Sequence, residues 1–390
     1  MQKKRALVMI STDRSIFQRY SQARARMVEY GELVDELHII IFARKALGFA
    51  EMTLSSQVKI YPTASWSKAG YMSDALSSAK RILEGLPREL YDVALSAQDP
   101  FETGLVGRQL KKKFKLPLQI QVHVDFLSPF FRRGPVLNYV RIPLAKEVIK
   151  YADQVRVVSL RIARSLESLV EKKKIKILPI FVDIESGANH NGAEQSKIIF
   201  NRFSHVILMI SRLAPEKNFA CALEAFSRLL RTYPKALLVI VGSGPEKANI
   251  EYIAHDLGIA RSVILTGWQG AVRPYYKKAK LFLSTSWYEG YGLALVEAAA
   301  AGIPIVTTNV GIVGDVLVDG ESALVCDVND ADCLTIKMTT LIKDQELEQR
   351  LKTNAARALG KHLARNRKDF LMAHAELFKD LFNVTELASS

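Results

Sequence analysis

The stretch Val206-Ile207-Leu208-Met209-Ile210-Ser211-Arg212-Leu213-Ala214-Pro215-Glu216-Lys217-Asn218 decides how this chain is read. Its unbroken apolar run, Val206 to Ile210, reads as a buried strand. A polar loop follows. Phe219, Ala222, Leu223, Phe226, Leu229 and Leu230 then recur at helical spacing, which predicts an amphipathic helix. The pattern repeats downstream. Leu237 to Val241 is a strand, followed by Gly242-Ser243-Gly244-Pro245 and a helix. Val263-Ile264-Leu265 is a strand that closes at Thr266-Gly267. Leu281-Phe282-Leu283 leads through a loop into a helix from Leu293 to Ala301. Gly302-Ile303-Pro304 stops that helix, and Ile305-Val306-Thr307 begins a fifth strand. Strands alternating with helices predict a parallel, doubly wound sheet.

The first half repeats the theme. Arg5 to Ile10, Leu37 to Ala43, Val93 to Leu95, Leu118 to Val124 and Gln154 to Ser159 are strand-like. A helix is expected over Ile16 to Tyr30, stopped by Gly31. The polar, turn-rich segment Ser186 to Lys197 reads as the joint between the halves. The expected fold is α/β, with a Rossmann-like domain over residues 1–185 and a second over 186–365. Two such domains facing each other leave a central cleft, and ligands bind at the carboxyl ends of the strands.

Composition narrows the function classes. With 49% hydrophobic and 24% charged residues among 390, the chain is neither disordered nor fibrous. No apolar run reaches the roughly 18 residues of a membrane span; Leu293 to Val306 is interrupted by Glu297. After the basic start Lys3-Lys4-Arg5, only Ala6 to Ile10 are apolar, too short for a signal-peptide core. Three scattered cysteines, Cys221, Cys326 and Cys333, argue for a reducing compartment, hence the cytoplasm, and against a zinc site.

Net charge is +14, and residues 1–190 hold 31 Lys and Arg against 19 Asp and Glu. The dense pieces are Lys111-Lys112-Lys113 with Lys115, Arg132-Arg133, and Lys172-Lys173-Lys174 with Lys176. Phe114 and the run Phe126 to Phe131 stand beside two of them. Apolar side chains among cations suit an anionic membrane surface better than a nucleic acid groove, and no nucleic-acid fingerprint is present.

The chemistry-bearing residues follow strands. Arg212 and Lys217 share one strand-to-helix loop, where two cations and a helix N-terminus can clamp a diphosphate. Taken alone, the same two residues also read as surface ion pairs to Glu216. In Ser286-Trp287-Tyr288-Glu289-Gly290-Tyr291-Gly292-Leu293, the glycines let backbone amides approach a phosphate. Glu297 is the lone acid of a helix apolar nearly all round, so it is expected to be buried with a partner. Gly242, Gly244, Thr266 and Gly267 read as further walls of a ligand site, or only as turns.

Together these residues resemble the family 4 retaining glycosyltransferases of the GT-B fold (glycosyl transferases group 1). The resemblance rests on Ser-Arg-Leu-x-x-Glu-Lys-Asn at 211–218, Glu-x7-Glu at 289–297 with Gly-Tyr-Gly inside, Val241 to Pro245, and Thr266-Gly267-Trp268. Asn309-Val310-Gly311 and Asp319-Gly320 fit more loosely, and the match covers roughly residues 205–325. It implies that Arg212 and Lys217 hold a donor diphosphate, that the backbone of Gly290, Tyr291, Gly292 and Leu293 binds the same phosphates, and that Glu297 holds ribose hydroxyls. Glu289 would contact the donor sugar. His123, at the end of a strand, matches the histidine of the family's acceptor domain, although alone it reads as a core histidine. Asp99 and Asp125 are weaker acceptor-side candidates. The family's glycine-rich loop after the first strand is replaced by Ser11-Thr12-Asp13-Arg14-Ser15, in which Ser11 or Arg14 would supply the contacts. A helix in residues 366–390 is expected to cross back to the first domain.

The expected activity is sugar transfer, with retention and without a metal or other cofactor, from a UDP- or GDP-linked sugar to a hydroxyl. The basic first half points to a lipid-linked glycan or surface-polysaccharide precursor as acceptor, presented at an anionic membrane that meets Lys111, Lys112, Lys113, Phe114, Lys115, Arg132 and Arg133. The rival readings are an epimerase acting on the donor alone, and a basic nucleic-acid binder.

Overall fold

The computed structural model describes residues 3–182, 202–364 and 366–387. The expected joint, Ser186 to Lys197, lies outside them. The chain forms two compact units. The first comprises Met1–His123, Leu137–Leu178 and Asn366–Ser390, and the second Val124–Val136 and Pro179–Arg365.

The first unit contains β1 (Lys4–Ser11), α1 (Gln22–Gly31), β2 (Glu36–Ile41), β3 (Met52–Thr53), β4 (Val58–Pro62), α2 (Tyr71–Glu84), β5 (Tyr91–Ala97) and α3 (Glu102–Phe114). It continues with β6 (Leu118–Val122), α4 (Asn138–Ile149), β7 (Gln154–Val157), α5 (Leu160–Leu166) and β8 (Ile175–Ile177). The strands form one sheet in the order β3-β4-β2-β1-β5-β6-β7-β8, parallel except for β3. Ala6 to Ile10 and Leu37 to Ile41, His38 apart, are continuous buried apolar runs, as strands covered on both faces must be.

The second unit contains β9 (His205–Ile210), α6 (Phe219–Thr232), β10 (Ala236–Val241), α7 (Lys247–Asp256), β11 (Val263–Gly267), α8 (Arg273–Lys278) and β12 (Leu281–Ser284). It continues with α9 (Leu293–Ala300), β13 (Ile305–Thr308), β14 (Leu324–Cys326), α10 (Ala331–Lys343) and α11 (Gln345–His362). Its sheet is parallel throughout, in the order β11-β10-β9-β12-β13-β14. Phe219, Ala222, Leu223, Phe226 and Leu229 are buried against it, which is the helical stripe the spacing predicts.

The expected fold class therefore holds, with corrections of detail. The predicted helix over 16–30 is broken. A short 3₁₀ turn at Arg14–Phe17 ends, and α1 restarts where the Ser21 hydroxyl accepts the Arg24 N–H. The sequence reading passed over β3, β4, β8 and β14, which have two to five residues and too little pattern to read. Residues 124–136, counted there with the first domain, belong to the second unit. Cys326 and Cys333 form a disulfide, so only Cys221 remains a free thiol. The argument from unpaired cysteines to a reducing compartment therefore loses its basis.

The last helix, α12 (Arg367–Leu387), packs within the first unit. Phe370, Phe378, Leu381 and Phe382 bury its apolar side. The Gln154 amide donates to the Leu377 carbonyl at 3.1 Å, and Arg367 pairs with Glu29.

Candidate active site

In the second sheet, β10 lies on one side of β9 and β12 on the other. Chain order reverses there, and such a switch point is where open parallel sheets bind ligands. The loops leaving these two strands carry the two groups of residues singled out by sequence.

The β9 loop runs from Ser211 to Asn218. Lys217 Nζ meets Glu289 Oε1 at 2.5 Å, and the Ser286 hydroxyl donates to the same oxygen at 2.8 Å. Both partners are largely buried, with 17% and 18% of their side chains exposed. Arg212 differs. Its side chain is 73% exposed and bonds Glu216 at 2.6 Å, a surface pair that costs little to open.

Neutral hydrogen bonds lock the two loops together. The Thr285 hydroxyl donates to the Lys217 carbonyl at 2.8 Å, and the Trp287 N–H to the Glu216 carbonyl at 2.8 Å. Asn329 Oδ1 accepts from Asn218 Nδ2 and from Trp287 Nε1, each at 2.9 Å. The Cys326–Cys333 bridge closes the short turn that carries Asn329. Asn329 and Thr285 escaped the sequence reading, and Ser286 was read there only as the start of the loop. Asn329 lies 111 residues from Asn218, and no local pattern marks it.

Gly242 and Gly244 have a structural explanation. A Cβ on Gly242 would stand 1.9 Å from the Ser211 carbonyl oxygen, and one on Gly244 2.3 Å from that of Leu213. Both φ angles are positive, at 144° and 157°. The two glycines let the β10 loop lie directly against the loop that holds Arg212. Thr266 and Gly267 end β11, with the Gly242 N–H donating to the Gly267 carbonyl at 2.9 Å.

The second loop opens α9 at Gly292, whose φ is 90°. Gly290 is buried and Leu293 exposed. The Tyr291 side chain is 4% exposed, so its backbone is the part that can face a ligand, as the resemblance implies. Glu297, one turn into α9, is half-buried and has the expected partner, the Tyr276 hydroxyl donating to Oε2 at 3.2 Å. Burial raises its carboxyl pKa above the usual range, and the Tyr276 bond opposes this.

Residues 124–136 bring aromatic contacts to this loop. The Phe131 ring meets Tyr288 edge to face at 5.3 Å, and the Arg133 guanidinium lies 5.9 Å from the Trp287 ring. Asp125 is half-buried in this segment.

In the first unit, His123 follows β6 directly. Its Nε2 lies 3.1 Å from Gln121 Oε1, which also accepts from the buried Arg156 at 2.9 Å. That oxygen only accepts, so Nε2 carries the hydrogen and Nδ1 is the free acceptor. Desolvation first, then Arg156 and Arg26, push its pKa down to about 3. The imidazole is therefore neutral at physiological pH, and the residue is exposed.

The remaining acceptor-side candidates divide. Ser11 is buried and its hydroxyl donates to Gln98 Oε1 at 2.6 Å, so it is committed to the fold. Asp99 Oδ1 accepts the Phe101 N–H at 2.8 Å and holds the start of α3; desolvation lifts its pKa to about 6. Arg14 is exposed. Of the basic clusters, Lys111 pairs with Asp153, and Lys172, Lys173 and Lys174 pair with Glu167 and Glu171. Among the described residues, Lys112, Lys113, Lys115, Arg132 and Arg133 make no ion pair.

No helix of the described residues is long and apolar enough to cross a membrane.

Residues 193–358 match the family described as glycosyl transferases group 1. The chain is 28% identical over 191 residues to the lipopolysaccharide core biosynthesis glycosyltransferase LpsE of Rhizobium meliloti (strain 1021), covering 49% of this chain and 54% of that protein. It is 24% identical over 274 residues to the UDP-Gal:alpha-D-GlcNAc-diphosphoundecaprenol alpha-1,3-galactosyltransferase of Escherichia coli, covering 67% of this chain and 69% of that one. The match thus spans about half the length of LpsE. In structure, the chain is similar to the sucrose-phosphate synthase of Thermosynechococcus elongatus, with a TM-score of 0.79 at 16% identity over 98% of this chain and 100% of that one. The switch-point loops with their Lys217–Glu289 pair thus lie inside the segment that matches the glycosyl transferases group 1 family, and the chain shares the GT-B fold.

Proposed function

We propose that the protein is a retaining glycosyltransferase that moves a sugar from a nucleotide-diphospho-sugar to a hydroxyl acceptor. The observation that carries this reading is the buried Lys217–Glu289 pair at the β9/β12 switch point, beside the start of α9. Lys217 has three N–H donors, and the one given to Glu289 leaves two for phosphate oxygens. Arg212 leaves Glu216 and closes on the diphosphate from the exposed side. The backbone amides of Gly292 and Leu293, at the positive end of α9, face the same charge. Glu297 keeps Oε1 for the ribose hydroxyls. Glu289 accepts hydrogen bonds from the donor sugar.

In the reaction the bond between C1 of the sugar and the phosphate oxygen breaks, and a bond from C1 to the acceptor oxygen forms on the same face. The acceptor proton passes to the departing phosphate oxygen, whose charge Arg212 and Lys217 offset. These two cations supply the positive charge that a metal supplies elsewhere, so activity should survive chelation.

The acceptor is read as a lipid-linked glycan or polysaccharide precursor at the cytoplasmic membrane face, because LpsE and the Escherichia coli relative bear names of that class. Lys112, Lys113 and Phe114, beside Lys80 and Leu76, line an open groove of about 550 Å³ between α2 and α3 that suits anionic headgroups.

Thermal unfolding with UDP, GDP or ADP tests the reading. A nucleotide at about 100 times its dissociation constant stabilises by roughly 2.7 kcal/mol. One nucleotide should give this shift, and Lys217→Ala should abolish it. No shift with any nucleotide overturns the donor site. An inverted anomeric product overturns retention, and a rearranged donor without transfer favours an epimerase.

A further inference from the structure

Three loops at the carboxyl edge of the first sheet have no role in the reading above. They follow β1, β2 and β4, which are neighbours in that sheet. Backbone ladders continue past the strands and tie two of them together. The Ser65 N–H donates to the Ala43 carbonyl at 3.0 Å, and the Lys45 N–H to the Ser65 carbonyl at 2.8 Å. Thr63 Oγ1 accepts the Ala43 N–H at 3.0 Å. The β1 loop joins them through Phe17, whose ring stacks on Phe49 at 4.2 Å.

On this rigid base stands Trp66, 85% exposed, with Lys45 Nζ 4.4 Å from its ring centre. Tyr20, on the β1 loop, is 89% exposed. Arg14, Arg19, Arg44, Lys45 and Lys68 are all exposed on these loops, and among the described residues none of them makes an ion pair. An exposed indole on a tied loop, with the unpaired Lys45 over one face and further unpaired cations on the same three loops, at the ligand edge of a parallel sheet, has the chemistry of a binding surface.

We propose that these loops form an acceptor subsite, in which a pyranose ring of the acceptor packs its C–H face on Trp66 and an adjacent phosphate or carboxylate is held by Lys45 and its neighbouring cations. The proposal rests on the transferase reading and names the acceptor's chemistry: a sugar next to an acid. The C–H face of a pyranose is apolar while its hydroxyl rim stays hydrated, which an exposed, edge-wetted indole matches. The ladder contacts hold the platform before binding, so little ordering cost is left. A membrane anchor fits less well, because the polar Ser65, Ser67 and Lys68 flank Trp66 in sequence and Lys45 engages one face of its ring.

The test is calorimetric titration with glucose 1-phosphate, methyl α-glucopyranoside and inorganic phosphate, with the donor site filled by the nucleotide that stabilises the protein. Glucose 1-phosphate should bind more tightly than either part alone. Trp66→Ala should weaken it roughly tenfold, and Trp66→Phe should recover part of the loss. Lys45→Ala should weaken glucose 1-phosphate but not methyl α-glucopyranoside. The nucleotide-induced thermal shift should be the same in all three variants. Unchanged affinity in Trp66→Ala, or no binding of any probe to the wild type, overturns the subsite. So does sedimentation with phosphatidylcholine–phosphatidylglycerol vesicles that depends on Trp66 while sugar binding does not; Trp66 is then a membrane anchor. Trp66-dependent sugar-phosphate binding without any nucleotide shift leaves the subsite standing and removes the transferase reading instead.

Discussion

The two sheets share a parallel, doubly wound design but treat charge in opposite ways at their ligand edges. In the second, Lys217 is paired with Glu289 and Arg212 with Glu216, and neutral bonds from Thr285, Asn218, Trp287 and Asn329 fix the loops. In the first, Arg14, Arg19, Arg44, Lys45 and Lys68 carry no ion pair among the described residues, and backbone ladders, stacked rings and the Thr63 and Ser11 side-chain bonds fix the loops. A cation buried beside a reacting centre must be paired to be tolerated at all, whereas exposed cations cost little unpaired. The difference fits the two proposals: one edge built around a defined reaction and the other open to an acidic partner.

Removing the paired cation should break this contrast most. Lys217→Ala leaves Glu289 buried without its partner, a loss of roughly 3 kcal/mol in stability, and lowers turnover by about 10² to 10³. Lys217→Met combined with Glu289→Gln should recover stability in urea unfolding but not activity. Recovered activity would mean that the pair serves only the fold.

The disulfide is next. It closes a loop between residues seven apart in sequence, and the chain-entropy relation gives about 2.5 kcal/mol for a loop of that size. Cys326→Ser with Cys333→Ser should lower the unfolding free energy by that amount, and a reductant should do the same to the wild type. No change in either would detach the bridge from the stability of the donor edge.

Acid should single out the first unit. Burial pushes the His374 pKa down to about 2, and that of His123 lies at about 3, both below the ordinary 6.5. Above pH 6.5 their contribution is fully present. As pH falls below it, the unfolded chain takes up protons that the folded chain refuses, and stability drops by about 1.4 kcal/mol per pH unit for the buried His374. Asp99, raised to about 6, acts in the opposite sense between 3.8 and 6 and offsets part of this. Melting temperature should fall between pH 7 and pH 5, and less steeply in His374→Gln.

The smallest effect is expected from Asn329→Ala, which removes two neutral hydrogen bonds worth about 1 kcal/mol each. It should raise the KM for the donor more than it lowers kcat, because it loosens the loops without touching the charges.

Most of the second unit could be read in advance. Strand runs, helical stripes and the loop residues 211–218 and 289–297 are contiguous in sequence, so their placement follows from local periodicity. The first unit was less legible. Its short β3, β4 and β8 carry too few residues for a pattern, and the Ser21 cap that breaks the predicted helix competes with a strong apolar repeat. The burial of the Tyr291 ring, which leaves its backbone toward the loop, has no local signature. Nor does the contact of Gly242 and Gly244 with the Ser211 and Leu213 carbonyls, which leaves no room for a Cβ at either position.

By itself the sequence determined the alternation of strand and helix, hence the two doubly wound sheets, and it placed Arg212, Lys217 and Glu289 on two loops after strands and Glu297 on the helix that follows the second. Those features depend on residues close in the chain. Only the tertiary structure decided that Lys217 meets Glu289, that Asn329 bridges Asn218 to Trp287, that Cys326 meets Cys333 and that Lys45 lies over Trp66. Most of these contacts join residues tens of positions apart, and all of them were set by how strands order and loops close. Local composition carries no record of that.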